Sequence, residues 1–181
     1  MDGAFVEQIT YGSPVLKCVR KATDMFLDVH LMVNDPMSQI KFFAEAGADL
    51  ISFHLESNSS AVQTLELIRS FGVKSALAIK PGTAAEEVYP LLSLCDMVLV
   101  MTVEPGYGGQ AFIPETLEKI RQLREYAGGD LDIEVDGGIN AKTAPLVKEA
   151  GANVLVAGTG LFKAEDMVQA NAALKAPQKG A

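Results

Sequence analysis

The chain has few cysteines, and their arrangement excludes two classes of protein. Only Cys18 and Cys95 occur among the 181 residues, and they form neither a CxxC pair nor a metal-ligand spacing. A disulfide-stapled secreted scaffold and a cysteine-based zinc domain are therefore excluded. Because both cysteines have apolar neighbours in the sequence, we expect two buried free thiols, which suit a reducing compartment.

The chain also lacks a cluster of basic residues and a long apolar run. With a net charge of −8 and no grouped lysines or arginines, it does not match a nucleic-acid-binding protein or one attached to an anionic membrane surface. No apolar run reaches the roughly 20 residues of a membrane-spanning helix, and no signal peptide follows Met1. We expect a cytoplasmic protein with no nucleic-acid or membrane partner. A negatively charged chain can still bind an anionic metabolite, because such binding needs only a local site.

What the chain does have is a regular alternation of strand and helix patterns. A hydrophobic content of 49% predicts one domain over residues 1–181 with a large core. Short runs rich in Val, Ile and Leu, apolar on both faces, predict parallel strands covered by helices. The predicted strands span 26–33, 49–56, 74–80, 97–103, 131–136 and 153–158.

Helical patterns lie between these strands and have recognisable start and stop signals. The predicted starts are Ser13-Pro14, Asn34-Asp35-Pro36, Ser59/Ser60, Thr83, Pro114, Lys142 and Glu165, and Pro90 is expected to end or kink the Thr83 helix. Three helical patterns run into a glycine just before the next strand, at residues 46–48, 71–73 and 150–152. Glycine after the last helical residue is the expected stop.

Two architectures fit this alternation, an open doubly wound sheet and a (β/α)8 barrel. Polar residues or glycine fall at or near the end of every predicted strand: His30, His54, Glu56, Lys80, Thr102, Glu104, Asp136 and Gly158. Polar residues at all strand ends favour the barrel, because all strand ends of a barrel face the same side, whereas an open sheet binds ligand at the one point where the strand order reverses. Only six strands are countable, so we expect a barrel that lacks its strand 1, helix 1 and strand 2.

The segment LDIEVDGG places a carboxylate, Asp136, at the end of a predicted strand and two glycines, Gly137 and Gly138, after it. A strand-end carboxylate beside bare backbone is typical of barrel active sites, where glycine N–H groups approach an anion. The alternative is an ordinary turn in which the aspartate caps the following helix.

Two further glycine-rich segments follow strands. Gly106, Tyr107, Gly108 and Gly109 form a loop that can close over a phosphate, or that is only a flexible connection. Gly158 and Thr159 follow the last strand. If the last two strands are the seventh and eighth of a barrel, these residues and the two glycines after Asp136 predict a phosphate cradle.

His30 is the candidate metal ligand, with Asp136 as a possible co-ligand. Imidazole with carboxylate suits zinc or another first-row divalent ion, whereas the alternative for His30 is a core residue whose hydrogen bonds are satisfied.

For His54 we expect a structural or supporting role. Met32 and Met101 are candidates for pocket lining, although core packing is the commoner use of methionine. Lys80 suits either an anionic substrate or a carboxylate such as Glu56, and the sequence does not choose between them.

The motifs HLMV, SFHLE, AIKPGT, VMTVEPGYGGQ, IEVDGG and VAGTG, in this order, resemble ribulose-phosphate 3-epimerases, as does the opening MDGAFVEQITYGSPV. The resemblance covers almost the whole chain. It implies a (β/α)8 barrel that interconverts D-ribulose 5-phosphate and D-xylulose 5-phosphate in the pentose phosphate pathway and the Calvin cycle. It also implies a homo-oligomer, either a dimer or a hexamer.

The resemblance assigns roles to individual residues. It implies one divalent metal ion (Zn, Fe, Mn or Co) bound by His30 and Asp136, with Asp136 also one of two catalytic carboxylates that move the C3 proton through a cis-enediolate. It implies phosphate and substrate contacts from Gly106–Gly109, Gly137, Gly138, Gly158 and Thr159, the last in place of a more usual serine, and substrate contacts from His30 and Asp136 as well.

The family pattern includes a His-x-Asp shortly before its MDG, and this sequence begins at MDG. Two metal ligands and one acid/base group of the pattern are therefore not found, Glu7-Gln8 replace a usual Pro-Asn, and we expect weak metal binding and slow turnover. The alternative function is a catalytically impaired form or a non-catalytic relative that binds phosphosugar. A different phosphate-binding barrel isomerase or decarboxylase does not fit the intact VEPGYGGQ and IEVDGG.

Overall fold

The computed structural model describes residues 1–176, in which strands and helices alternate. The elements in chain order are α1 (Ser13–Ala22), β1 (Asp28–Leu31), α2 (Ile40–Glu45), β2 (Leu50–His54), α3 (Ala61–Ser70), β3 (Lys74–Ile79), β4 (Met97–Met101), α4 (Thr116–Ala127), β5 (Asp132–Asp136), α5 (Ala144–Ala150), β6 (Val154–Val156), α6 (Thr159–Phe162) and α7 (Met167–Lys175). Two short 3-10 segments, Ala85–Glu87 and Tyr89–Leu94, lie between β3 and β4.

The strands of residues 1–176 form one six-stranded sheet in the order β1-β2-β3-β4-β5-β6. Pairing is parallel between β1 and β2, between β2 and β3, and between β5 and β6. All six predicted strands are present and slightly shorter than the sequence pattern indicated. The parallel α/β class is thus confirmed. Within residues 1–176, no helix is both long and apolar enough to cross a membrane.

The chain divides into two compact units, and the first consists of residues Met1–Ala78 and Pro90–Val98. Its core is built on β2, whose five residues are all buried. A strand buried on both faces explains the unbroken apolar run that the sequence shows. The helix α3 packs with Leu65 and Ile68 fully buried, and Ser60 caps it by accepting a hydrogen bond from Gln63 N. The predicted start of that helix is therefore confirmed.

The second unit consists of residues Ile79–Tyr89 and the chain from Leu99 onward. Ile133 and Val135 on β5 are fully buried, as are Ile120 and Leu123 on α4. The helix α5 ends at Gly151, whose left-handed conformation confirms the predicted stop. This unit carries Asp136 and the three glycine-rich segments that the sequence singled out.

Some helix predictions are corrected by the structure. The expected helix after Thr83 is replaced by the two 3-10 segments, because Pro90 has no N–H to donate and its ring disfavours a continuous α-helix. The helix expected from Asn34-Asp35-Pro36 begins only at Ile40, after a turn in which Gln39 N donates to Pro36 O. The helix α6 was not expected. Residues 177–181, which the domain prediction includes, lie outside the described residues.

The prediction of two buried thiols is wrong for Cys18, which is exposed, and Cys95 is half-buried. Cys18 lies on α1, and no residue of that helix is buried. Apolar neighbours in a sequence do not reveal which helix face packs against the core, so they do not predict whether Cys18 is buried. Both thiols are free, as expected.

Candidate active site

Asp136 is the last residue of β5, directly after the buried residues Ile133, Glu134 and Val135. The backbone at this strand end is anchored, since Thr102 N donates to Asp136 O at 2.8 Å. Burial raises the pKa of the Asp136 carboxyl to about 6. A carboxyl group with such a pKa exchanges protons readily near neutral pH. The alternative role as a helix cap is wrong, because α5 begins at Ala144 after Thr143.

The two glycines after Asp136 are required by their surroundings. Gly137 has φ 126°, and a Cβ there would lie 2.5 Å from Val103 Cγ2. Gly138 has φ 66°, and a Cβ there would lie 2.7 Å from Phe112 N. Positive φ and close backbone approach each favour glycine, so any side chain at either position would displace the neighbouring segment. We call Asp136–Gly138 the DGG turn.

The carbonyl oxygens of the DGG turn are held by three side chains that the sequence did not single out as site residues. The buried Thr102 donates from Oγ1 to Gly137 O at 2.6 Å. Asn140 Nδ2 and Thr143 Oγ1 both donate to Gly138 O, at 3.0 and 2.9 Å. With its carbonyls held, the turn has a fixed backbone conformation. The sequence marks Thr102 only as a strand-end polar residue, whereas Asn140 and Thr143 carry no signal beyond their polarity after the turn.

Residues 104–110, which we call the glycine loop, are organised by Gln110. Its side-chain amide Nε2 donates to Glu104 O at 2.7 Å and to Tyr107 O at 2.9 Å. One amide therefore joins the two sides of the loop. Gly106 is buried, whereas Gly108 and Gly109 are exposed, so the glycine backbone open to solvent is at Gly108 and Gly109.

The structure brings the three glycine-rich segments of the second unit together. A Cβ on Gly108 would lie 3.7 Å from Thr159 Oγ1, and one on Gly109 would lie 3.8 Å from the same atom. A Cβ on Gly160 would lie 2.3 Å from Ile139 O, just after the DGG turn. The space next to the Cα of Gly158 is open. The residues predicted to form a phosphate cradle are thus neighbours in space.

His30 belongs to the first unit, where it lies on β1 opposite Ser52 of β2. Its Nδ1 is 2.9 Å from Ser52 Oγ, and its Nε2 is buried with no hydrogen-bond partner within residues 1–176. Burial lowers the pKa of His30 well below its usual value, with further lowering from His54 and the N-terminal ammonium, while the Ser52 hydrogen bond opposes them. The imidazole is therefore neutral and has a lone pair to offer.

His54 lies next to His30, with ring centroids 5.0 Å apart at an angle of 57°. It is fully buried, and its ring also contacts that of Phe5 at a centroid distance of 4.8 Å. Its Nδ1 is 3.1 Å from Glu56 Oε2. A supporting role for His54 stays a prediction.

The two methionines named as candidates for pocket lining have different environments. Met101 on β4 is 1% exposed and packs in the core, whereas Met32, just after β1, is half-buried. Pocket lining stays a prediction for both residues.

A divalent metal ion needs several oxygen, nitrogen or sulfur ligands close together. Within residues 1–176 there is no group of three or more His, Cys, Asp or Glu that could hold a metal ion. His30 by itself has the features of a ligand, because one ring nitrogen contacts Ser52 and the other is buried without a partner in the described residues, but His54 Nε2 is equally buried and unpartnered. Asp136 offers a carboxylate oxygen, which divalent first-row ions accept.

The chain is thus a parallel α/β protein in which the Asp136 carboxyl group lies at the end of a strand, beside glycine-rich segments. Solved structures share this fold. The crystal structure of 3-keto-L-gulonate-6-phosphate decarboxylase from Vibrio cholerae aligns with a TM-score of 0.70, over 90% of this chain and 77% of that one, at 18% identity. A likeness at that identity shows the fold alone.

Sequence comparison identifies the particular family. The model described as the Ribulose-phosphate 3 epimerase family matches residues 1–162. Ribulose-phosphate 3-epimerase from Bacillus subtilis (strain 168) is 45% identical over 174 residues, which are 94% of this chain and 80% of that protein. The cytoplasmic isoform from Oryza sativa subsp. japonica is 42% identical over 184 residues, with 99% and 80% covered. The chain belongs to the ribulose-phosphate 3-epimerase family, a family of isomerases acting on carbohydrate phosphates, which confirms the resemblance.

Proposed function

We propose that this chain interconverts D-ribulose 5-phosphate and D-xylulose 5-phosphate by moving the proton on C3, the carbon next to the ketone. The family supports this substrate pair. The observation that carries the mechanism is the position of Asp136 at the end of β5, with its carboxyl group partly buried beside the DGG turn.

Asp136 is the acid/base group in this proposal. As a carboxylate it takes the C3 proton, and as a carboxylic acid it returns one. A pKa raised by burial to about 6 makes both forms accessible near neutral pH. Asp136 alone gives exchange of the C3 proton on one face, and inversion also requires a proton on the opposite face, which solvent water supplies in this proposal. Removal and inversion are therefore separate steps that two different assays can follow.

The substrate phosphate is assigned to the glycine-rich segments of the second unit. Gly137 and Gly138, the glycine loop residues Gly106–Gly109, and Gly158 with Thr159 supply backbone N–H groups and one hydroxyl. Their proximity through Thr159 supports a single cradle, because N–H groups on bare backbone approach a phosphate closely. The side chain of Tyr107 is 53% exposed and is assigned to substrate contact as part of the same loop.

One divalent metal ion, either Zn, Fe, Mn or Co, completes the proposal through the family resemblance. His30 and Asp136 are the residues of this chain assigned to hold it, His30 through its unpartnered Nε2. When bound, the metal stabilises negative charge on the substrate oxygens.

The experiment that tests the proton step is solvent exchange. The chain is incubated with D-ribulose 5-phosphate in D2O, and deuterium at C3 is followed by NMR. A coupled assay for D-xylulose 5-phosphate measures inversion in parallel. We expect exchange by the wild-type chain and a loss of about 10³-fold or more in the Asp136→Asn variant, because the amide cannot take the proton.

The matched control is Asp132→Asn, at the other end of the same strand. Asp132 Oδ1 accepts a hydrogen bond from Asn153 Nδ2 at 2.7 Å, and Asp132 begins β5 whereas Asp136 ends it. This variant is expected to exchange like the wild type. A wild-type chain that binds the phosphosugar without exchanging its C3 proton would instead favour the non-catalytic or impaired relative.

We further propose that residues 1–181 form one ribulose-phosphate-binding (β/α) barrel domain whose six strands correspond to the third to eighth strands of a (β/α)8 barrel. The family and the parallel sheet support this correspondence. A cytoplasmic location and a homo-oligomer, either a dimer or a hexamer, complete the proposal. Fractionation and light scattering test these two points.

A further inference from the structure

Two tyrosine rings stack on each other in the second unit. Tyr89 begins the second 3-10 segment, and Tyr126 lies in the last turn of α4. Their ring centroids are 3.8 Å apart, and the ring planes differ by 7°. At that distance, carbon atoms of one ring are in van der Waals contact with those of the other. Tyr126 is 60% exposed and Tyr89 is half-buried, so solutes reach the pair from the solvent.

The segments that carry the two rings are held together by contacts other than the stacking itself. Val88, directly before Tyr89, is fully buried. The helix α4 packs on the first 3-10 segment. On the same helix, Lys119 donates from Nζ to Lys80 O at 2.7 Å and to Pro81 O at 2.9 Å, at the start of the connection that leads to Tyr89. The rings therefore project from two segments whose relative position is fixed by the surrounding structure.

Two tyrosines in contact can be joined by oxidation. A one-electron oxidant removes an electron and the phenolic proton from each ring and leaves two phenoxyl radicals, whose unpaired spin lies partly on the carbons ortho to the oxygen. Two such carbons form a carbon–carbon bond, and the two ring hydrogens then move to the phenol oxygens. The product, dityrosine, has lost two hydrogen atoms. With a peroxidase as catalyst, their electrons and protons reduce one hydrogen peroxide to two waters.

The starting state of Tyr89 suits this reaction. Burial raises the pKa of the Tyr89 phenol, and neighbouring negative charges, the first of them Glu86, raise it further. The ring is therefore a neutral phenol at neutral pH, and its oxidation removes the electron together with the proton.

We propose that Tyr89 and Tyr126 form an oxidative cross-linking site, at which a peroxidase-type one-electron oxidant joins the two rings by a carbon–carbon bond. The stacked rings must slide and turn before their ortho carbons bond, and the exposure of Tyr126 leaves room for that movement. Because the two rings are already in contact, coupling within one chain is faster than coupling between chains in dilute solution. The bond ties the connection between β3 and β4 to α4. The site is separate from the proposed epimerase reaction.

The test oxidises the full chain at low concentration with a haem peroxidase and hydrogen peroxide. Dityrosine fluorescence is measured in the fraction that runs as a single chain under denaturing conditions, and joined peptides are identified by mass spectrometry. The wild type should give one joined pair of peptides, containing Tyr89 and Tyr126 and lighter than their sum by two hydrogen atoms. Tyr89→Phe and Tyr126→Phe should each lower the single-chain fluorescence about tenfold or more, because phenylalanine keeps the ring but forms no phenoxyl radical beside its neighbour.

Tyr11→Phe is the matched control, because Tyr11 is 74% exposed and lies in the first unit. This variant should keep the wild-type fluorescence. Urea denaturation reports on the bond itself: the oxidised wild type should unfold at a higher urea concentration than oxidised Tyr89→Phe, because a covalent link restricts the unfolded chain. The inference is overturned if the single-chain fraction contains no dityrosine, if its dityrosine persists in Tyr89→Phe, or if the joined peptides contain a different pair of tyrosines.

Discussion

Arg124 covers Gly151, the residue that ends α5, and donates from Nε to its carbonyl oxygen at 3.0 Å. A Cβ on Gly151 would lie 2.6 Å from Arg124 Cβ. The first unit repeats this relationship between Arg20 and Gly47, where Nη1 is 3.4 Å from the carbonyl oxygen and a Cβ would lie 2.6 Å from Arg20 Cδ. In each unit, an arginine of one helix packs on the glycine that leads from the next helix into a strand.

This packing predicts that Gly151→Ala destabilises the chain more than a glycine replacement at a similar but open turn. Gly151 has φ 116°, and Gly72, after α3, has φ 74° with no atom within 4 Å of a Cβ. Gly72→Ala should lose about 1–2 kcal/mol of unfolding free energy from backbone strain alone. Gly151→Ala should lose a further 1–3 kcal/mol or so, because Arg124 must move. Urea denaturation measures both, and equal losses would contradict the role given to Arg124.

Replacement of Thr102 by valine tests how far the DGG turn depends on its hydrogen bond. Thr102→Val removes the donor to Gly137 O and leaves that carbonyl without this partner, which should cost about 1–3 kcal/mol of stability. C3 exchange should also slow, because the turn next to Asp136 loses its fixed position. The control is Thr116→Val, which removes a similar buried hydroxyl that donates to Ile113 O at 2.7 Å. Thr116→Val should lower the free energy of unfolding without slowing C3 exchange in the folded chain. Equal slowing of C3 exchange in both variants would contradict the role given to Thr102.

The glycine loop is expected to depend on Gln110. Gln110→Glu removes both donors of the side-chain amide and sets a carboxylate against two carbonyl oxygens. The loop should loosen, so that KM for the phosphosugar rises more than kcat falls, while the free energy of unfolding changes by about 0.5 kcal/mol or less. Steady-state kinetics and the rate of proteolysis within residues 104–110 measure the effect. Gln63→Glu, on the exposed face of α3, is the control, and an unchanged KM in Gln110→Glu would count against this role.

The two thiols should differ strongly in reactivity. Burial, together with the nearby charge of Asp96, raises the pKa of the Cys95 thiol to about 12. At pH 8 only about one Cys95 in 10⁴ is then a thiolate, and the thiolate is the form that reacts. Cys18 is exposed, so a thiol reagent should label one fast equivalent in the native chain, and Cys18→Ser should remove it.

The same pKa shift gives a pH dependence of stability with a definite sign. The folded state disfavours the Cys95 thiolate, whereas the unfolded chain titrates with an ordinary thiol pKa of about 8.5. The stability contribution of Cys95 is therefore fully present below pH 8.5 or so and is lost as the pH rises toward 12. Cys95→Ala should remove this alkaline slope in urea titrations. If Cys95→Ala keeps the wild-type slope, the alkaline loss of stability arises from another titratable group.

Much of the fold was predictable because strands and helix ends leave local signals. The apolar run at 49–56 predicted β2, and the glycine before it predicted the end of α2, since a strand buried on both faces and a helix stop each leave a signal within a few residues of sequence. The failures have physical causes as well. The segment after Thr83 has helical composition, but Pro90 interrupts the backbone hydrogen bonds, and Cys18 lies on a helix face that the core does not cover.

The sequence by itself determined the order of strands and helices, the strand-end position of Asp136 and the glycine-rich segments beside it. Only the tertiary structure decided that Ser52 holds His30, that Thr102 holds the DGG turn and that Thr159 lies against the glycine loop. These contacts join residues far apart in sequence. They depend on strand register and on how each turn folds back, which no local pattern of polar and apolar residues specifies.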